Sequence, residues 1–176
     1  SSGNIFVSEP RSSHIWRLAR NAAAIEPWYE GTAYAPSEGG MGFSGIAMSA
    51  EQDAVLAGHL ESGDIIRIPF LSDGTAGAPG TDSIDRGITA SGIGSMRWHD
   101  GNLYAVRDGG FLRLAGEGGS WASDELSLEL DTPSALVFFR GGAGELWGVE
   151  SQLRFLLDGD ESTAGAVPFR VVKLPL

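Results

Sequence analysis

The chain reads as an all-β repeat protein, a stretch of β-propeller with about four blades, each of four antiparallel strands. Three observations predict this. Strand-like segments recur at blade spacing, glycine interrupts nearly every window of helical length, and small or αL-tolerant residues sit between the segments.

The recurrence is clearest in four hairpins. Their first strands read Ile5-Phe6-Val7-Ser8-Glu9, Val55-Leu56-Ala57-Gly58-His59, Leu103-Tyr104-Ala105-Val106-Arg107 and Leu146-Trp147-Gly148-Val149-Glu150. They begin at residues 5, 55, 103 and 146, so successive starts lie 50, 48 and 43 residues apart. Propeller blades repeat every ~40–50 residues. The return strands also align, as Ile15-Trp16-Arg17-Leu18, Ile65-Ile66-Arg67-Ile68, Phe111-Leu112-Arg113-Leu114 and Leu153-Arg154-Phe155-Leu156. In the first three an arginine alternates with apolar neighbours and so faces away from them, within reach of carboxylates on a neighbouring blade. The fourth shifts its arginine by one place, which predicts a bulge or slipped register.

Inner strands precede three of the hairpins, at Ser44-Gly45-Ile46-Ala47-Met48, Ser95-Met96-Arg97-Trp98 and Ser134-Ala135-Leu136-Val137-Phe138. Gln52-Asp53, His99-Asp100-Gly101-Asn102 and Gly141-Gly142-Ala143-Gly144 supply the connecting turns. Outer strands are expected near Ala24–Trp28, Asp82–Ile84, Glu125–Leu130 and Phe169–Leu174, with Pro27 and Pro168 at edges where a missing donor is tolerated. The blades then span about 1–42, 43–89, 90–131 and 132–176. The residues before Ile5 cannot supply an inner strand for the first blade, so that strand is expected from elsewhere. Either further blades complete a larger ring, or a second chain does.

Composition narrows the partners. Twelve Lys and Arg against 23 Asp and Glu give a net charge of −11, which disfavours nucleic acid and anionic membranes. The absence of cysteine removes disulfides, thiolate metal sites and cysteine nucleophiles. No apolar run is long enough to span a bilayer, and no leader with a basic start and apolar core is visible. The compartment stays open, leaning towards a secreted or periplasmic setting.

The repeat also locates candidate site residues. Glu9, His59, Arg107 and Glu150 end the four equivalent strands, at equal depth around a propeller axis. Glu61, Asp108 and Ser151 follow closely, and Trp98 is one of five tryptophans that pack blades or line a pocket. Two carboxylates with a histidine suit general acid/base chemistry or a hard cation. His59, Glu150 and Glu9 are therefore the catalytic candidates, with Arg107, Glu61, Asp108 and Trp98 as substrate contacts. The identity of any metal ligands is left open. His14 and His99 read as turn residues, Asp158-Gly159-Asp160-Glu161 as an acidic turn without full calcium-loop spacing, and Ser44 and Ser134 lack a nucleophile-elbow context.

Two stretches resemble a known family. Gly45-Ile46-Ala47-Met48-Ser49 through Arg67-Ile68-Pro69-Phe70-Leu71-Ser72-Asp73-Gly74-Thr75 is similar to the repeat of gluconolactonase and senescence-marker-protein propellers. Trp98-His99-Asp100-Gly101-Asn102-Leu103-Tyr104 resembles the same element one blade later, and strictosidine-synthase-like propellers share much of it. The resemblance implies a six-bladed ring of which these are the later blades, and a small-molecule ligand at the channel mouth. It also implies lactone or ester hydrolysis, often with a divalent metal such as calcium. The family's Asn-Gly before an inner strand is Ser44-Gly45 here, with Gly94-Ser95 and Pro133-Ser134 as later equivalents, so its metal pattern is incomplete. Two further functions stay open: a metal-free propeller enzyme that templates a cyclisation or condensation, and a non-catalytic binding or structural module.

Overall fold

Alternating apolar and polar residues settle into short antiparallel hairpins in the computed structural model. It describes residues 3–84, 92–107, 110–116, 120–126, 130, 133–139, 145–151 and 170–174. The first sheet holds β1 (Ile5–Glu9), β2 (His14–Leu18) and β3 (Glu26–Glu30), in that spatial order. The second runs β4 (Phe43–Met48), β5 (Ala54–His59), β6 (Ile65–Pro69) and β7 (Gly80–Ile84). The third runs β8 (Met96–His99), β9 (Asn102–Arg107), β10 (Gly110–Ala115) and β11 (Ser120–Leu126). The fourth holds β12 (Pro133–Phe139), β13 (Glu145–Glu150) and β14 (Val171–Lys173).

The fold is thus all-β, with four blade-like antiparallel sheets. Among the described residues the sole helical turn is a 3-10 turn at Thr32–Tyr34, and no helix is long and apolar enough to cross a membrane. β1 pairs with β2 on one side and has no strand on the other among the described residues, as expected for a blade without its inner strand.

The sheets stack because period-two alternation sends neighbouring side chains to opposite interfaces. On β5, Val55 and Ala57 face the first sheet while Leu56 faces the third. On β9, Leu103 and Ala105 face the second sheet while Tyr104 and Val106 face the fourth. Both strands lie between two sheets, which is why they read as nearly continuous apolar runs. Three separate cores result, one per junction. Phe43, Ile66 and Ile68 anchor the first, Ile93, Leu112 and Trp121 the second, and Phe111, Leu136 and Leu146 the third.

Turn chemistry fixes the registers. His99 pairs with Asn102 across Asp100-Gly101, whose φ angles of 45° and 74° give a two-residue turn matching strand twist. Two glycines permit close approach of blades. A Cβ on Gly45 would lie 1.7 Å from the Gly94 carbonyl oxygen, and one on Gly148 would lie 2.3 Å from the Phe111 ring.

Three features depart from the sequence reading. The arginines of the return strands pair within their own sheets, because the partner strand brings carboxylates beside them. Arg17 binds Glu26 at 2.6 Å, Arg67 binds Asp53 at 2.6 Å, and Arg113 pairs with Asp124. In the fourth sheet β14 pairs directly with β13, so the place expected for Leu153–Leu156 is filled by Val171–Lys173. Leu153–Leu156 themselves lie outside the described residues, as do Asp108, Pro168 and the acidic turn at 158–161. Finally, β7 and β11 meet in a short parallel pairing, Ser83 with Ser120 and Ile84 with Trp121, which joins the second and third sheets into one of eight strands.

Candidate functional site

The strand-end residues singled out by the repeat hold polar posts that the fold uses locally. His59, at the end of β5, is 6% exposed and lies edge-on to Phe43. Its Nδ1 accepts from the Ser62 N–H at 3.1 Å. Nε2 therefore carries the proton and donates to the Tyr34 carbonyl, 3.1 Å away. The buried Ser13 hydroxyl donates to that same carbonyl at 2.6 Å. Glu61 holds the other side of the loop, accepting the Ser37 N–H at 2.9 Å and the Ser37 hydroxyl. The Ser37 hydroxyl, then its amide, keep the Glu61 carboxyl below the ordinary glutamate range. Together these bonds tie the connection between the first two sheets to β5.

Glu9 ends β1 half-exposed, accepting the Ser12 hydroxyl at 2.8 Å and the Trp16 indole N–H at 3.2 Å. The Ser12 hydroxyl, followed by the indole, lowers its pKa. Arg107 pairs with Glu125 on β11. Glu150 is fully buried, and its Oε2 accepts the Arg170 guanidinium at 2.6 Å while Oε1 has no hydrogen-bond partner among the described residues. No bond links Glu9, His59 and Glu150 to one another. Trp98 lies at the second junction, donating its indole N–H to the Met48 carbonyl at 2.5 Å and tilting against Trp121.

Two concavities were not legible in the strand ends. A cleft of about 730 Å³ opens between the first and second sheets. Phe6, Ile46, Met48, Val55 and Phe70 form its apolar wall, with Asn4, Arg17, Gln52 and Asp73 among its polar lining. One backbone oxygen organises this rim: the Gly74 carbonyl accepts from Arg17 and from the Trp28 indole, each at 3.0 Å. A second, shallower concavity of about 360 Å³ lies where the inner strands converge, lined by Ser8, Ser44, Ser95, Ser134 and Arg97. The repeated serine before each inner strand was the sequence signal for it. The cleft gave no such signal, since Phe6 and Arg17 of one blade meet Ile46, Met48 and Phe70 at other positions of the next.

Among the described residues no group of three or more His, Asp or Glu side chains gathers where one ion could be held. The carboxylates of Glu9, Glu61 and Glu150 are each engaged by hydrogen-bond donors. No protein-family model matches the chain, and no curated protein matches it significantly.

Proposed function

We propose that the chain is a ligand-binding portion of a β-propeller, and that its ligand is a small, largely apolar molecule held between the first two blades. The cleft of about 730 Å³ carries this reading. Its volume suits a compact organic molecule, since such sites run ~300–1,000 Å³ with apolar walls and a few polar groups. Phe6 and Phe70 offer ring faces, their centroids 5.6 Å apart and tilted at 54°, and Phe70 also packs on Trp28 at 5.0 Å. Met48 adds an adaptable wall. Gln52, an exposed turn residue of the cleft lining, can orient a polar substituent. A fragment screen by ligand-observed NMR tests the idea. Hits should lose affinity about tenfold in Phe70→Ala, the scale of one aromatic contact. Equal binding to both proteins would overturn it.

A second reading, hydrolysis of a lactone or ester, draws on the blade resemblance and on one observation. Glu150 keeps a buried carboxylate oxygen without a hydrogen-bond partner among the described residues, the kind of group that functional sites retain. A panel of lactones and esters assayed with added calcium and with chelator addresses it directly. Turnover that falls in Glu150→Gln while the fold persists would favour hydrolysis; no turnover of any panel member would sink it.

A further inference from the structure

The concavity at the convergence of the inner strands has a chemistry unlike the rest of this acidic molecule. Arg97 on β8 is exposed, and no carboxylate lies within 4.0 Å of it among the described residues. Among the described residues the other arginines on or next to the strands are committed: Arg17 to Glu26, Arg67 to Asp53, Arg107 to Glu125, Arg113 to Asp124 and Arg170 to Glu150. Among the described residues the Arg97 guanidinium makes one hydrogen bond, to the Met96 carbonyl at 2.7 Å, which leaves most of its donor fork available. Packing does not demand it. Arg97 sits opposite Tyr104, and the residues at the matching register on the other inner strands are Ala47, opposite Leu56, and Val137, opposite Trp147, so an apolar side chain serves there in the other blades.

The serines complete the pattern. Ser44, Ser95 and Ser134 line the concavity, and their hydroxyls make no hydrogen bond to the described protein. The Ser8 hydroxyl donates to the Ser44 carbonyl, occupying an oxygen that would otherwise repel an anion. Three rotatable hydroxyls beside an uncommitted guanidinium form a set of donors. A planar fork is matched by two oxygens of one oxyanion, and neighbouring hydroxyls can take the remaining lone pairs. In a chain of net charge −11, the average field repels anions, so such a site acts through local geometry.

We propose that Arg97, with the hydroxyls of Ser44, Ser95 and Ser134, forms an oxyanion site at the centre of the four sheets that takes the carboxylate or phosphate group of a small anion. This goes beyond the interblade cleft and does not depend on it. Titration of ¹⁵N-labelled protein with sodium phosphate, and separately with sodium acetate, tests it at ionic strength held constant with sodium chloride. Amides of Gly45, Ser95 and Arg97 should shift saturably, and whichever anion binds more tightly identifies the group recognised. Arg97→Ala should weaken binding about tenfold or more, as expected for charge-assisted bonds, with Arg97→Lys in between. Arg97→Gln, which keeps the side chain's length, reports the same loss should alanine disturb β8. Shifts that fail to saturate, or that are identical in the parent and Arg97→Gln proteins, would overturn the proposal.

Discussion

Gly148 has no space for even a methyl group, since a Cβ there would sit 2.3 Å from the Phe111 ring, and that ring is itself fully buried. Gly148→Ala should therefore destabilise the protein by about 1–3 kcal/mol through overpacking, measurable by urea unfolding. Glu61 gives a different kind of test. Its folded pKa lies below the ordinary 4.5, because the Ser37 hydroxyl and amide favour the ionised form. Its contribution is complete above that ordinary value and disappears as pH falls through the lowered folded one. The thermal midpoint should thus fall as the pH is taken below the ordinary glutamate value, and fall less in Glu61→Gln. Neither role could be read from the residue alone. Glu61 and His59 were visible as polar ends of an apolar strand, but their partners, Ser37 and the Tyr34 carbonyl, lie in a connection with no periodic pattern. Gly148 was legible as a small position in the repeat, whereas the ring it faces comes from another blade.

Elements were far more legible, because alternation and turn chemistry are local. The Asp100-Gly101 turn follows from its dipeptide, and the registers of β8 and β9 follow from the turn. A Cβ at Gly101 would meet nothing within 4 Å, so Gly101→Ala isolates the cost of a left-handed backbone at φ 74°. Differential scanning calorimetry should show a loss of about 1–2 kcal/mol. At the second junction, Trp98→Phe keeps an aromatic ring against Trp121 and removes the indole bond to the Met48 carbonyl. That change should cost about 1 kcal/mol in chemical denaturation. What the pattern could not supply is which strand fills an edge. Val171–Lys173 pairs with β13, and nothing in a short Val-Val-Lys segment distinguishes third from fourth place.

At the scale of the molecule, three junction cores in series make stability a sum of neighbour terms, as in repeat arrays. The middle junction is bounded by sheets that are themselves packed on their far sides. Native-state hydrogen exchange should accordingly show the slowest amides on β5, β6, β9 and β10, and faster exchange on β1 and β14. Leu112→Ala, at a fully buried position in the middle core, should cost about 2–5 kcal/mol and lower protection in both central sheets together. Uniform exchange across all four sheets, or loss confined to β10, would contradict this picture.

The parallel pairing of β7 with β11 has a mechanical consequence. Backbone bonds bridge the outer margins of the second and third sheets, so those two resist shear as one plate. The first sheet is joined to that plate by side-chain bonds to three carbonyls, those of Gly74, Tyr34 and Ser44, by the Gly42 amide on the Pro10 carbonyl, and by apolar packing, with no strand ladder between the two among the described residues. Compliance is therefore uneven, and the joint that yields first is the one beside the first sheet. The cleft lies along that joint, so it can widen to admit a guest without rupture of any ladder.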